Sequence, residues 1–459
     1  MIHATLPLDP GFAPLSLAYR AFCEEVAQSA EPRRFVVRIV RGEARSSAFE
    51  TLIFPEGAQD ARNIRMMDRL VKSLLWVRGG YRIQVSGSKA VFWHLKAAYQ
   101  PGGSRAFDAR FMSTVYERPF AVEYVADADA IAQSQEAASD IGRHLDGCRI
   151  GFDAGGSDRK VSAVKDGNPV FSEEVIWFPK VTADPEYHYR EILSAFQTAA
   201  SHLPRVDAIG VSSAGVYIDN KVMTASLFLA VPEALHPEKV KHIYEKAAKA
   251  IGDVPLVVAN DGDVTALAGA MGLGKGRVLG LAMGTSEAGG YVDEQMHIMG
   301  WLNELAFVPV DMNPEAMADE WSGDIGCGVK YFSQDGVIKL APAAGIALDA
   351  SLSPAEKLKI VQMELEAGHP GAIRIFETIG VYLGYALPWY ALFYDIAQVL
   401  ILGRVTSGRG GQLILDKARE TLDLAFPELA KTMVLSLPDE ATRRVGQSIA
   451  AASLPDIKK

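Results

Sequence analysis

Residues 149–164 read RIGFDAGGSDRKVSAV, and the rest of the chain falls into place around them. The stretch opens as an apolar strand, breaks at Gly155-Gly156, and resumes as an alternating strand that runs to the Asp166-Gly167 turn. Two strands joined by a two-glycine bend bring the bend's N–H groups together, and a Cβ at either glycine would hold an anion away. The first strand delivers Asp153 to that bend, where a Mg²⁺ carried on phosphates takes a hard oxygen ligand, directly or through water. An ordinary hairpin with a glycine-rich turn fits these residues equally well. Matching pieces elsewhere in the chain decide between the two.

With 459 residues, 49% hydrophobic and 22% charged, the chain has room for two or three globular domains. We find neither a leader-like pattern of basic then apolar residues nor a window of about 18 apolar residues free of charge, and so expect a cytoplasmic protein without membrane contact. Cys23, Cys148 and Cys327 lie far apart, which gives neither a disulfide framework nor a metal knuckle. The net charge of −10 is uneven: residues 31–118 hold sixteen Lys/Arg against eight Asp/Glu. Such a basic segment could meet nucleic acid, polyphosphate or an acidic face, or could be spread over solvated strands.

Taken in order, the chain begins with a helical candidate over 15–29, then the strands RFVVRIV and SSAFETLIFPE. Ile64, Met67, Leu70, Val71 and Leu74 have helical spacing, and YRIQVSGSKAVFWHL reads as two further strands around Ser86-Gly87-Ser88. No second helix follows the first after a three-to-four-residue turn, so nucleic acid is not expected as a partner. A linking helix is expected over 127–145.

After the glycine bend, VDAIGVSSAGVYI ends in the small residues Ser212, Ser213, Ala214 and Gly215, where a ligand or another backbone comes close. A helix is expected from Glu238 to Ala250. VPLVVAN then runs into Asp261-Gly262-Asp263, a strand end feeding a helix start. The helix terminus favours an ionised carboxylate there, suited to act as a general base; an N-cap role for Asp261 or Asp263 fits as well. RVLGLAMGTSEAGGYVDEQ repeats the opening logic at Gly284-Thr285-Ser286, suggesting an internal duplication with a cleft between the halves. The tail is helical, with a capping signature at Ser353-Pro354-Ala355-Glu356 and helix glycines Gly380 and Gly384 that allow close packing.

This order of pieces resembles the actin-like ATPase superfamily and, within it, the ROK family of sugar kinases and repressors. The likeness covers residues 148–425 and rests on five segments. IGFDAGGSDRKVSAV is similar to the first phosphate motif D-x-G-G-T, and GVSSAGVYIDN to G-x-x-x-P-G-x-x-D with Ala214 for proline. VVANDGDVTALAGAMG resembles the E-N-D-A-N helix start, GLAMGTSEAGGYV the second phosphate motif, and 379–408 the helix and strand before the adenosine glycines. The resemblance implies an α/β protein with a two-lobed actin-like ATPase (ribonuclease H-like) fold and an additional N-terminal α+β domain. Its implied boundaries are 1–146, 147–262 and 263–459.

By the same likeness, Asp153 helps hold Mg²⁺, and Gly155, Gly156, Ser157, Gly284 and Thr285 surround the phosphates of ATP. Gly403, Thr406 and Ser407 border the adenosine. Asp261 is the catalytic base, and Ser213, Asn260 and Glu304 join it around a sugar or sugar derivative. A homodimer is the implied assembly. Four departures stand out. The family's E-x-G-H motif aligns with NELAF, so Glu304 is kept but histidine becomes Phe307; the zinc segment keeps only Gly326-Cys327, which removes a Zn²⁺ site; and the next glutamate is Val329. Arg404 stands where the family has a second glycine. Each lost partner for a buried hydroxyl costs about 1–3 kcal/mol, so the acceptor is expected to differ from plain glucose. Kinase activity on a small hydroxyl compound is one implied function; a non-catalytic metabolite or nucleotide sensor is the other.

Overall fold

In the computed structural model, residues 6, 8–136, 140–438 and 446–458 are described. The chain divides into two compact units. One combines Met1–Ala137 with Leu281–Gly289 and Trp301–Leu437; the other combines Ala138–Gly280 with Gly290–Gly300 and Pro438–Lys459. Successive blocks at 1–146, 147–262 and 263–459 are not how the chain partitions. The N-terminal segment shares a unit with most of the expected second lobe, and the C-terminal residues return to the first.

The N-terminal elements are α1 (Leu15–Ala27), β1 (Arg33–Gly42), β2 (Arg45–Ile53), α2 (Asp60–Arg78), β3 (Arg82–Ser86), α3 (Lys89–Ala98), α4 (Ala106–Tyr116) and β4 (Ala121–Tyr124). They build a sheet of order β2-β1-β3-β4 whose core face carries Val37, Ile39, Ile83 and Val85. Helix α3 replaces the strand expected after Ser88. The Ser88 hydroxyl accepts the Val91 N–H at 3.2 Å, and Val91, Phe92, Leu95 and Ala98 form one buried helical face. The helix expected over 127–145 is absent from its described residues. Asp127 takes the Asp129 N–H on its own carboxylate at 3.0 Å, and Gln135 exchanges two 2.8 Å backbone bonds with Ser46, which holds the segment extended.

The second unit follows with β5 (Cys148–Ala154), β6 (Asp158–Lys165), β7 (Asn168–Ile176), α5 (Pro185–Ser201), β8 (Ala208–Ser213), β9 (Val216–Ile218), β10 (Lys221–Thr224), α6 (Ile243–Ile251), β11 (Leu256–Asn260) and α7 (Asp261–Leu273). Its sheet has the order β11-β8-β5-β6-β7, with β5, β6 and β7 antiparallel and β8 and β11 parallel to β5. Ile150, Phe152, Ile209 and Val211 are fully buried, as a sheet covered on both faces requires. The helix expected from Glu238 starts later. A wide turn over His236–Val240, closed by Lys241 N–H to the His236 carbonyl at 2.9 Å, precedes α6.

Next come β12 (Val278–Met283), β13 (Glu287–Val292), α8 (Gln334–Leu340), α9 (Pro354–Glu366), α10 (Pro370–Tyr390), β14 (Gln398–Leu402), α11 (Arg409–Ala425), α12 (Pro427–Thr432) and β15 (Val434–Ser436). These strands form a sheet of order β13-β12-β14-β15. Helix α9 begins with the expected capping box of Ser353 and Glu356. A Cβ on Gly380 would lie 2.6 Å from the Ile414 carbonyl and one on Gly384 2.5 Å from Thr421 Cβ, so both glycines let α10 close on α11. Among the described residues, no helix is long and apolar enough to cross a membrane.

One element has no counterpart in the sequence reading. Helix α13 (Gln447–Ala452) lies on β5 and β8 so closely that a Cβ on Gly151 would sit 1.7 Å from the Ser448 carbonyl oxygen, and one on Gly210 1.7 Å from that of Ala451. Both glycines are therefore required by packing rather than by turn geometry. Gly210→Ala is expected to cost about 2–4 kcal/mol and to expose 447–452 to hydrogen exchange. Gly446→Ala, where a Cβ meets nothing within 4 Å, is the control and should leave both unchanged.

Candidate functional site

Strands β5, β8 and β11 run parallel and end level. Asp153 pairs across with Ser212, Ala154 with Ser213, and Ser213 with Asn260. The carboxyl ends of parallel strands in open α/β sheets are where ligands gather, because backbone and helix termini diverge there. Asp153 from β5 and Asp261, the first residue of α7, meet at this edge.

Asp153 accepts the Ser212 hydroxyl on Oδ1 at 2.9 Å, and its second oxygen has no hydrogen-bond partner among the described residues. Burial pushes its carboxyl up to about 6; the Ser212 bond opposes this, and the like charge of Asp261 reinforces it. Asp261 is also raised by burial, against the pull of the Gly262 N–H at 3.0 Å and of the Lys180 charge. Asp261 is not the cap of its helix. Asn260 is, with its Oδ1 accepting Gly262 N–H at 2.7 Å while its Nδ2 donates to the Gly215 carbonyl at 2.7 Å. Asp263 turns inward to take the Tyr291 N–H. Asp261 is thus left at the strand edge with part of its surface open.

The glycine bend is anchored from behind. Trp177 donates its indole N–H to the Gly155 carbonyl at 2.7 Å, and its backbone N–H to Ser157 at 3.1 Å. A Cβ on Gly155 would lie 2.6 Å from the Asp158 carbonyl, so the hairpin itself accounts for that glycine. Gly156 differs. Its Cβ would meet Lys180 Cε at 2.6 Å and Nζ at 2.8 Å, which places an ammonium directly over the bend. Lys180 has no ion pair among the described residues, and its turn is pinned by His188 Nε2–H donating to the Pro179 carbonyl at 3.0 Å. Ser157 gives its hydroxyl to Asp158 at 2.9 Å.

Three residues of this site were given no role of their own in the sequence reading. Ser212 was visible only as a small residue at a strand tip. Lys180 is a lone lysine after a strand. Gln447, whose amide donates to Ser212 Oγ at 3.2 Å and to the Asp261 carbonyl at 3.0 Å, carried no signal at all. Ser213 is corrected: it is fully buried, and its hydroxyl is taken by Tyr244 at 2.9 Å and Tyr217 at 2.6 Å, which leaves nothing for direct substrate contact. Asn260 spends its side chain on capping.

The remaining predicted residues lie in the other unit. Gly284 N–H bonds the Ser286 carbonyl at 3.0 Å, and a Cβ there would meet nothing nearer than that oxygen at 3.8 Å. Thr285 sits in the same bend. Gly403 has a φ of 100° and would clash with the Met283 backbone at 2.4 Å, so packing between β14 and β12 explains it. The Thr406 hydroxyl donates to the Gly403 carbonyl at 3.0 Å, and Ser407 is exposed. Glu304 N–H and Asn303 N–H bond the carbonyls of Trp76 and Val77 at the end of α2, and Phe307 stacks on Trp76 with ring centres 4.2 Å apart. Among the described residues no group of three or more His, Cys, Asp or Glu is placed to hold a metal. Mg²⁺ at Asp153 would therefore rest on that open oxygen, on substrate phosphates and on water, a donor set this ion accepts.

No protein-family model matches the sequence, and no curated protein does at a meaningful level. Solved structures do match. The ROK hexokinase of Thermus thermophilus superposes with a TM-score of 0.51 at 17% identity, over 67% of this chain and 97% of that one. A ROK family transcriptional regulator, a homologue of the E. coli MLC protein, gives 0.53 at 16% identity over 70% and 80%. The chain shares the α/β fold of these two solved structures. An enzyme and a regulator both carry it.

Beside the second bend, Glu287 is a buried acid. Tyr390 O–H donates to Oε1 at 3.3 Å, Oε2 has no hydrogen-bond partner among the described residues, and burial with the nearby Glu304 charge moves the group up to about 8. A carboxyl raised in the folded state stabilises fully below its ordinary value and loses that contribution as pH climbs to the folded value. Glu287→Gln keeps the Tyr390 acceptor and removes the titration. Its melting-temperature advantage over the parent should grow from pH 5 to pH 8 and then level off at about 3 °C or more. A constant offset across that range would show that Glu287 does not titrate there.

Proposed function

We propose that this protein transfers the terminal phosphoryl group of ATP to a hydroxyl of a small molecule, a sugar or sugar derivative. The observation that carries the proposal is the arrangement at the ends of β5, β8 and β11: Asp261 at a helix start, Asp153 with an open oxygen, and Lys180 over the Gly155-Gly156 bend. Mg²⁺ held through Asp153 would supply charge neutralisation on the phosphates.

Asp261 takes the proton of the acceptor hydroxyl as its oxygen attacks the terminal phosphorus; the new O–P bond forms while the bridge to the leaving diphosphate breaks. Its raised pKa suits the role, since a base titrating nearer the working pH transfers protons more effectively. The bend amides and the Lys180 ammonium hold the transferring group, which carries most of the charge in a loose transition state. Gln447 bonds the Asp261 carbonyl and Ser212, fixing the base relative to Asp153. Gly284, Thr285, Gly403, Thr406 and Ser407 remain assigned to the nucleotide on the resemblance alone. Glu304 is the proposed acceptor contact. Phe307, packed on Trp76, is apolar where the resembled motif has a histidine, so the acceptor is expected to differ from plain glucose.

Phe307 also favours a second reading, a regulator that binds a metabolite without turnover. ADP release measured over a panel of hexoses, amino sugars and sugar acids separates the two. Turnover with any acceptor should fall about 10²–10⁴-fold in Asp261→Asn at an unchanged melting temperature. Lys180→Gln should lower kcat about 10–100-fold, with partial recovery in Lys180→Arg. Ligand-induced stabilisation with no ADP release across the panel would replace the kinase with the regulator.

A further inference from the structure

The basic stretch over 31–118 has a use that the phosphoryl-transfer site does not absorb. Part of its charge is taken up in ion pairs. Arg34 pairs with Glu50 and Asp129, Arg41 with Glu136, and Arg62 with Glu25, while Arg69, Lys72 and Arg105 converge on Asp324.

Three of its arginines meet at one cavity. On the face of the N-terminal sheet opposite its core, strand register sets Arg38 beside Gln84 and Val40 beside Arg82. Here a cavity of about 700 Å³ opens, lined among others by Arg38, Arg82, Arg118, Tyr81, Ser46 and Glu43. Arg38 is held in place by neutral partners only: Nε and one terminal nitrogen donate to Gln84 Oε1 at 2.8 and 2.6 Å, and the other donates to the Ala130 carbonyl at 3.2 Å. Arg82 reaches Glu123 at 3.5 Å, a carboxylate that also accepts from Gln84. Arg118 has no side-chain partner among the described residues. Three guanidinium groups thus face two carboxylates, Glu43 and Glu123, and Ser46, only 3% exposed, has a hydroxyl without a hydrogen-bond partner among the described residues.

Guanidinium forks match phosphate oxygens two at a time, and a cavity of this volume suits a compact ligand rather than a duplex. We propose that this cavity binds a small phosphate-bearing molecule, as free phosphate or as a monoester. Arg118 supplies the unpaired cation, Arg38 and Arg82 flank it, and Tyr81 forms a wall for any carbon skeleton. The site lies wholly in the unit that holds the N-terminal segment, whereas Asp153, Lys180 and Asp261 belong to the other.

Calorimetric titration of the full chain with inorganic phosphate and with a hexose 6-phosphate tests this, the stronger of the two probes identifying the source. Arg82→Gln combined with Arg118→Gln, both solvent-accessible changes, should weaken the better probe at least tenfold. Lys180→Gln should leave it unchanged, and Glu43→Gln should tighten it. Binding that survives the double arginine variant, or that is lost instead with Lys180→Gln, overturns the site. Salt-dependent binding of a duplex of about 20 base pairs, abolished by the same double variant, would overturn it in favour of nucleic acid.

Discussion

Two carboxylates at the ends of parallel strands set the terms for the second unit. Asp153 and Asp261 are drawn up in pKa by burial, and Asp261 adds its charge to the pressure on Asp153. A pair of acids in so dry a place persists only when something nearby rewards ionisation. Here that is the Gly262 N–H at the start of α7, the Ser212 hydroxyl and the Lys180 ammonium. The local backbone serves the same end: Trp177 ties down the glycine bend and His188 ties down the turn that carries Lys180. Removing the cation from such a site leaves an uncompensated negative charge.

The N-terminal segment is structurally part of the unit it joins. Its helix α2 ends on the backbone of Asn303 and Glu304, and Trp76 stacks on Phe307. Lys72, Arg69 and Arg105 close around Asp324, whose carboxyl they hold well below the usual range, and Lys72 Nζ lies 3.6 Å from the buried Cys327 Sγ. The loop around Cys327 is thereby fixed by ion pairs from α2 and by Arg105. Breaking one partner of such a buried network costs more than its formation gained.

Legibility in the sequence followed local signals. The Gly155-Gly156 bend, the strand ending at Asn260 and the capping box at Ser353 each carry their cause within a few neighbouring residues, and each is where the sequence placed it. Failures came where a short stretch fits two structures or where distant segments meet. Val91 and Phe92 suit a strand as well as a helix, and only the Ser88 cap decides. Residues 127–136 have helix-forming composition but give their hydrogen bonds to the first sheet. Lys180 and Gln447 reach the site through tertiary folding, so no spacing rule connects them to Asp153. Ser213 misled because a polar residue at a strand tip was read as facing a ligand, whereas it faces two tyrosines.

Helix α13 has a temporal implication. It covers Gly151 and Gly210 and ties Ser212 to Asp261, yet it is synthesised roughly 300 residues after the strand it braces. On a ribosome, the sheet of the second unit emerges early with its two glycines bare, and must wait while most of the other unit is made. Assembly of the carboxylate edge is accordingly deferred until residues 447–452 have been made, so a nascent chain that stops short of them carries no finished site.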